Sequence, residues 1–316
     1  MLNKESSIGV SSRSFCKSKS LRDALEKNFN NIVYNEDLLH FDEEGLINFL
    51  RDCRGAIISE DPLTASVIDA LPELKIVCKF GVGLDNIDVE HLKRKNINLG
   101  WKPGLNASSV AELALSYIIL MLREACQLNK KLLNNQWKKV VNSRDLSNTT
   151  VGIIGYGHIG KKLASYLVPH DCTILVYDPF LSDESDLSEQ INSVSLEYLL
   201  ENSDAISIHT PLNDSSRDMI DKAELSKMKV GSVLINLARG GIVNEFALYE
   251  HLQSGHLGGA AFDVFENEPN NTSKFISKLI DLDNFFCTPH IAGTSVQTIE
   301  RLGQSSIDFL KSACKL

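Results

Sequence analysis

The stretch Val151-Gly152-Ile153-Ile154-Gly155-Tyr156-Gly157-His158-Ile159-Gly160 decides the fold. An apolar run leads directly into G-x-G-x-x-G. A helical pattern follows from Lys161 to Leu167, and a second apolar run, Thr173 to Tyr177, closes on Asp178. Strand, glycine turn, helix, strand and acid, in that order, make a βαβ unit suited to a dinucleotide. Gly155 permits the tight turn, Gly157 leaves the backbone open to a pyrophosphate, and Gly160 lets the helix lie close to the strand. Free N–H groups and the positive end of the helix dipole then face the phosphates. Asp178, 18 residues beyond Gly160, is placed to accept hydrogen bonds from an adenosine ribose. A glycine-rich turn in some other doubly wound sheet would explain the glycines, but not the two flanking strands and the acid together.

Upstream of this unit, short apolar runs alternate with amphipathic segments. Ile8-Gly9-Val10, Asn31-Ile32-Val33, Ala56-Ile57-Ile58, Leu74 to Cys78 and Ile97-Asn98-Leu99 read as strands. Leu21 to Phe29, Glu43 to Arg51, Thr64 to Leu71 and Val89 to Arg94 read as helices. This is a second, smaller βαβ domain without a nucleotide fingerprint. Trp101-Lys102-Pro103-Gly104 reads as a linker. Ser109-Val110-Ala111-Glu112 reads as a capping box opening a long apolar helix to about Arg123. Downstream, Ala205 to Ile208, Ser232 to Asn236, Gly259 to Val264 and Phe285 to Cys287 read as strands, and Val296 to Leu316 as one amphipathic helix. The strands are uniformly apolar, as in a parallel sheet covered on both faces. The expected division is 1–104, 105–292 and 293–316.

Composition limits the partners. At 316 residues the chain is long enough for two cores, and 43% apolar with 23% charged residues is ordinary for a globular protein. A net charge of −9 and a pI near 5.4 speak against nucleic acid or an anionic membrane surface. Seven cysteines, scattered at 16, 53, 78, 126, 172, 287 and 314, show neither metal-site nor redox-pair spacing. They are expected to be reduced, mostly buried thiols of a cytoplasmic protein, and no metal is expected. The start, Met1-Leu2-Asn3-Lys4-Glu5, has no hydrophobic signal region. The apolar stretch Leu113 to Leu122 is too short to span a bilayer.

Three later segments each end a predicted strand, where open α/β sheets bind ligands. In Leu234-Ile235-Asn236-Leu237-Ala238-Arg239-Gly240-Gly241, Arg239 offers a planar fork for a carboxylate and a neighbouring carbonyl. Ala261-Phe262-Asp263-Val264-Phe265-Glu266-Asn267-Glu268-Pro269 concentrates acids, and Cys287-Thr288-Pro289-His290-Ile291-Ala292-Gly293-Thr294 offers a histidine. Taken singly these are a surface arginine, a solvated acidic loop and a structural histidine. Taken together, Arg239, Glu268 and His290 supply a cation, a carboxylate and a proton donor near neutral pH. Reduction of a 2-keto acid needs that set.

With these segments assembled, the chain resembles the D-isomer-specific 2-hydroxyacid dehydrogenase family, in its phosphoglycerate dehydrogenase-like branch. The matching stretches are Phe80 to Asp88, Ser109 to Glu112, Gly155 to Gly160, His209-Thr210-Pro211-Leu212, Asn236 to Glu245, Phe262 to Pro269 and Thr288 to Ser295. They follow the family order and cover nearly the whole chain. The resemblance implies a Rossmann NAD domain inserted into a smaller flavodoxin-like substrate domain, with the last helix returning to the first domain. It implies NAD as cofactor, catalytic Arg239, a supporting acid at Glu268 and an acid/base histidine at His290. His158 and Ile159 would serve the pyrophosphate; Thr210, Leu237, Asp263 and Gly293 would contact the cofactor, Asp263 through the nicotinamide carboxamide. Gly81, Val82 and Gly83 would receive the substrate carboxylate. A homodimer paired through residues 106–147 is implied as well.

The last matching stretch lies near the end of the sequence, and the regulatory domains of longer phosphoglycerate dehydrogenases are not expected. Ser59-Glu60-Asp61-Pro62 stands where those enzymes place a basic residue toward the substrate phosphate, and two acids oppose a dianion at short range. Lys79 is the remaining candidate cation. Phosphohydroxypyruvate ranks first among the expected substrates, followed by hydroxypyruvate and glyoxylate, with a phosphonate-type oxidoreductase beside them. A non-enzymatic NAD(H)-sensing protein, like the family's corepressor relatives, is the alternative of another class.

Overall fold

The computed structural model describes residues 2–139, 142–181, 190–269 and 274–314. The chain divides into two compact units, Met1–Asn106 with Thr294–Leu316, and Ala107–Gly293, so the second is inserted into the first.

The first unit carries five parallel strands: β1 (Ser7–Val10), β2 (Asn31–Tyr34), β3 (Gly55–Ile58), β4 (Ile76–Lys79) and β5 (Asn98–Gly100). Their order is β2-β1-β3-β4-β5, the flavodoxin-like arrangement. β3 and β4 lie inside the sheet and are buried at every position, whereas edge strand β2 alternates between exposed and half-buried residues. One face packs Leu46, Leu50, Val67 and Leu92 against Ile58 and Val77. The other packs Phe15, Leu21 and Leu25 together with Leu302, Ile307 and Leu310 of the returning helix Val296–Ser312. Fully burying each such side chain contributes about 1.5–3 kcal/mol.

The second unit is a seven-stranded parallel sheet: β6 (Thr150–Ile154), β7 (Thr173–Tyr177), β8 (Ile191–Ser193), β9 (Ala205–Ile208), β10 (Val233–Asn236), β11 (Gly259–Phe262) and β12 (Phe285–Cys287). The order β12-β11-β10-β9-β6-β7-β8 is that of a Rossmann sheet with a seventh strand. Helices Ala107–Leu122 and His158–Leu167 cover one face through Val110, Ala114, Ile118 and Leu163. Leu199, Leu225 and Leu248, from three further helices, cover the other. Because every strand is parallel, the segments leaving their C-terminal ends gather along one edge.

Two local expectations change. The long apolar helix begins at Ala107, so Ser109 lies inside its first turn and is not the cap residue. The Ser109 hydroxyl instead donates to the Ala292 carbonyl at 2.7 Å, and Glu112 accepts from Tyr166. Tertiary partners thus outcompete the local capping box. Strand β8 has no counterpart in the sequence reading, because its Ile-Asn-Ser carries only one apolar residue and lies at the sheet edge. The final helix ends at Ser312, and residues 315–316 of its expected span lie outside the described residues. Among the described residues no helix is long and apolar enough to cross a membrane.

Candidate active site

In the second unit, the glycine turn joins β6 to the helix His158–Leu167. Gly155 adopts φ +92, and a Cβ there would lie 2.7 Å from the His209 carbonyl. A Cβ on Gly160 would sit 2.1 Å from the Gly155 oxygen, so the helix rests directly on the turn. Gly157, the helix N-cap, has open space where a side chain would be, and no side chain caps the helix. The N–H groups of His158, Ile159 and Gly160 therefore open that helix at the mouth of the turn. Asp178 follows β7 and accepts the N–H groups of Tyr156, at 2.7 Å, and Phe180, at 2.9 Å. Its charge is held against the glycine turn. Thr210 leaves β9 with its nitrogen beside Gly155. This open cradle, positive helix end and fixed acid fit NAD.

Arg239 follows β10. Asn236, the last residue of that strand, braces the segment from below: its side-chain amide donates to the Arg239 carbonyl at 2.9 Å and its Oδ1 accepts Ala238 N–H at 3.0 Å. The guanidinium is anchored by donation from Nη1 to the Ala238 carbonyl at 2.7 Å. Leu237, between them, is buried.

Glu268 and His290 meet at 2.7 Å, Glu268 Oε2 to His290 Nδ1, and both side chains are partly open to solvent. The other Glu268 oxygen accepts Phe265 N–H at 3.1 Å. Burial pushes the Glu268 carboxyl up, but the His290 bond and charge, the Phe265 N–H and Arg239 outweigh it and hold it below its ordinary value. The same hydrogen bond raises the His290 imidazole above its ordinary value, against desolvation. His290 sits at φ +53, a left-handed conformation uncommon outside glycine and frequent at functional positions. Its N–H donates to the carbonyls of Asp263, at 2.9 Å, and Thr288, at 3.1 Å.

Asp263 is fully buried, and its carboxylate holds the histidine loop. One oxygen accepts from the Thr288 hydroxyl and from Ile291 N–H, and the other accepts Ala292 N–H at 2.8 Å. Three donors offset the cost of burying a charge there. Tyr117 extends the chain, its hydroxyl 2.6 Å from Thr288 Oγ1, and burial raises that phenol to about 12. Gly293 follows this loop. The roles of Tyr117 and Thr288 have no signal in the sequence. Asn236 does leave one, as the lone polar residue closing an apolar strand before Arg239.

In the first unit, Lys79 ends β4 and is 8% exposed. Its ammonium donates to the Ser59 carbonyl and, at 2.6 Å, to Asn86 Oδ1, while the Asn86 amide donates to the Ser59 and Asp61 carbonyls. Asp61 is buried and accepts from the Ser11 hydroxyl at 2.5 Å; Glu60 pairs with Arg13 at 2.7 Å. Both acids and both cations of this edge are thus already engaged. The turn Gly81-Val82-Gly83 follows, tied by Trp101 Nε1 to the Val82 carbonyl at 2.9 Å.

The chain is similar to known proteins over most of its length. The family model for the D-isomer specific 2-hydroxyacid dehydrogenase NAD binding domain matches residues 115–292. The hydroxypyruvate reductase of Thermotoga maritima is 36% identical over 290 residues, 90% of this chain and 94% of the reductase. The (S)-sulfolactate dehydrogenase of Chromohalobacter salexigens is 36% identical over 77% of this chain and 78% of its own length. Among solved structures, the D-lactate dehydrogenase of Aquifex aeolicus, complexed with NAD and lactic acid, superposes with a TM-score of 0.84 at 27% identity, covering 97% and 94% of the two chains.

Proposed function

The chain belongs to the D-isomer specific 2-hydroxyacid dehydrogenases, NAD-dependent oxidoreductases, and on that premise we propose that it reduces a small, non-phosphorylated 2-keto acid, hydroxypyruvate first and glyoxylate beside it. One observation carries the choice. Lys79, the cation on which a phosphorylated substrate would depend, is buried and already bonded to Ser59 and Asn86. A dianion needs a cation free to meet it, and Glu60 and Asp61 stand nearby in sequence. The ranking expected from sequence, with phosphohydroxypyruvate first, is therefore reversed. The near full-length similarity to a hydroxypyruvate reductase supports the same order.

The residues divide the chemistry as follows. NAD, when bound in its reduced form, supplies the hydride for the keto carbon. Arg239 binds the carboxylate and polarises the carbonyl through its planar fork. His290, protonated and held by Glu268 through Nδ1, gives the proton on Nε2 to the carbonyl oxygen, yielding the hydroxy acid. A general acid so placed contributes about 10²–10⁴-fold. Gly155, Gly157, His158, Ile159, Gly160, Asp178, Thr210, Leu237, Asp263 and Gly293 line the cofactor side in this reading. Asp263 acts there chiefly by holding the histidine loop. Gly81, Val82 and Gly83 are the first unit's candidates to receive a substrate carboxylate.

The test is an NADH-oxidation screen of hydroxypyruvate, glyoxylate, phosphohydroxypyruvate, phosphonopyruvate and sulfopyruvate. Hydroxypyruvate or glyoxylate should show the highest kcat/KM. A preference for a phosphorylated, phosphonate or sulfonate acid overturns the substrate reading. NADH binding without turnover on any acid favours a sensor instead.

A homodimer through residues 106–147 is part of the same proposal. Leu132, Leu133 and Trp137 are exposed there within six residues, a cluster that pairing would cover; residues 140–141 lie outside the described residues. Light scattering on the protein and on Leu133→Glu decides it: a monomeric parent, or an unaffected variant, removes this interface.

A further inference from the structure

Glu245 opens the helix Glu245–Gln253, but its carboxylate serves a different segment. Its Oε1 accepts the backbone N–H of Glu266 at 2.8 Å. Capping of the helix does not require Glu245, because Asn244 already accepts the N–H groups of Phe246 and Ala247. Nor is the position comfortable for an acid. Burial pushes the Glu245 carboxyl up, and the charges of Glu266 and Glu268 add to that, against the Glu266 N–H.

The contact joins two loops of the site, the one after β10 that carries Arg239 and the one after β11 that carries Glu268. A Cβ on Gly240 would fall 2.0 Å from the Phe265 carbonyl and 2.4 Å from the Glu266 nitrogen, so the two backbones touch directly. Arg217 Nη1 lies 3.8 Å from the Glu266 carboxylate. The dipeptide Phe265-Glu266 then gives one N–H to Glu245 and the other to Glu268, whose second oxygen meets His290. We propose that Glu245 is a positioning residue: its hydrogen bond pins the Phe265-Glu266 peptide in the place from which Glu268 is presented to His290. The bond is charge-assisted and stronger than a neutral one, and it falls on a loop with no regular secondary structure of its own. The charged groups facing this point are Glu266, Glu268 and Arg217, with Arg239 and His290 beyond Glu268.

The inference rests on the acid–base reading of His290 and Glu268, and the experiment separates the two. The full-length protein is compared with Glu245→Ala, Glu245→Gln and Glu245→Asp, with Glu268→Gln as reference. Three quantities are read: kcat against pH for keto-acid reduction, NADH affinity, and the His290 titration midpoint by NMR in cofactor-free protein. Glu245→Ala should lower kcat between about ten- and 100-fold, as small misplacements of catalytic groups do. NADH affinity should stay unchanged, and the His290 midpoint should move down, in the direction set by Glu268→Gln. Glu245→Gln keeps the acceptor and should restore both kcat and midpoint. Glu245→Asp withdraws the acceptor by one methylene while keeping the charge at the helix end; it should behave as the alanine variant, and it serves if that variant does not fold. Wild-type kcat and midpoint in the alanine and aspartate variants overturn the proposal. So does equal damage in Glu245→Gln with an unmoved midpoint, which would make Glu245 a helix-end charge only. A Glu268→Gln variant with an unchanged pH profile and midpoint instead removes the acid–base reading itself.

Discussion

His290 Nδ1 and Glu268 Oε2 stand 2.7 Å apart, and that contact settles which imidazole nitrogen is left for chemistry. With Nδ1 committed to the carboxylate, the proposed mechanism assigns the proton transfer to Nε2. The pair also sets the charge, since a carboxylate at hydrogen-bond distance favours imidazolium.

Glu268→Gln should therefore lower the His290 pKa toward its ordinary value. In the proposed mechanism reduction uses protonated His290, so activity should be present below that pKa and lost as pH rises through it. The alkaline limb of the reduction profile should move to lower pH. An unmoved limb in a folded variant would reduce Glu268 to a loop acid. His290→Ala should remove most turnover, about 10²–10⁴-fold, with NADH binding retained.

Arg239→Lys keeps the charge but should raise KM and lower kcat together. The guanidinium donates through Nη1 to the Ala238 carbonyl, and the proposed role also asks it for a planar fork toward the substrate. An ammonium cannot do both in one plane. Steady-state kinetics showing a small change in KM alone would move Arg239 to the rim of the site.

NAD should be preferred to NADP: the Asp178 carboxylate is fixed by the Tyr156 and Phe180 N–H groups, and in the proposed role beside the ribose it would repel a 2′-phosphate. Pro179-Phe180-Leu181 offers no cation. Asp178→Ala should narrow the ratio of kcat/KM for the two cofactors, mainly by improving NADP. Equal use of both by the parent enzyme would contradict the assignment.

Lys79→Ala should lower stability and depress turnover of phosphorylated and unphosphorylated acids alike, since the ammonium clamps Ser59 and Asn86. Thermal melts and the substrate panel check it together. A selective loss on phosphohydroxypyruvate would return Lys79 to the role of anion site.

His209 predicts an acid sensitivity. Burial holds its imidazole neutral, pushing its pKa down to about 3, with Nε2 2.9 Å from Ser207 Oγ. The unfolded chain protonates near 6.5. The stability contributed by this residue is thus intact above that pH and lost as pH falls toward the folded value. One proton per molecule corresponds to about 1.4 kcal/mol per pH unit. Urea denaturation of His209→Gln between pH 6.5 and 4 should show a shallower loss than the parent; parallel slopes would mean that His209 is not the group responsible.

Much of this site is legible along the chain because its parts are local. The run from Val151 to Asp178 carries its own periodicity, turn chemistry and acid, and β6, the helix on Gly160 and β7 can be read from those alone. Arg239, Glu268 and His290 announce themselves as polar residues just after apolar strands, and parallel strands deliver their ends to one edge. The register that aligns Asn236, Phe262 and Cys287 on neighbouring strands then brings the three segments together.

What the tertiary structure alone decides is which partner each polar atom takes. Ser109 matches a capping box, yet it bonds Ala292, 183 residues away. Lys79 and Asp61 read as charges open to a substrate, and both are buried among bonds of their own. Asp263, taken singly, reads as part of a solvated acidic loop, yet it holds the loop that carries His290; Glu245, the first residue of a helix, accepts from the loop that carries Glu268. Periodicity and turn chemistry act within a few residues of the chain and so can be read from it. Burial and hydrogen-bond pairing are settled by whichever groups the packed sheets bring within 3 Å, and that distance has no image in sequence separation.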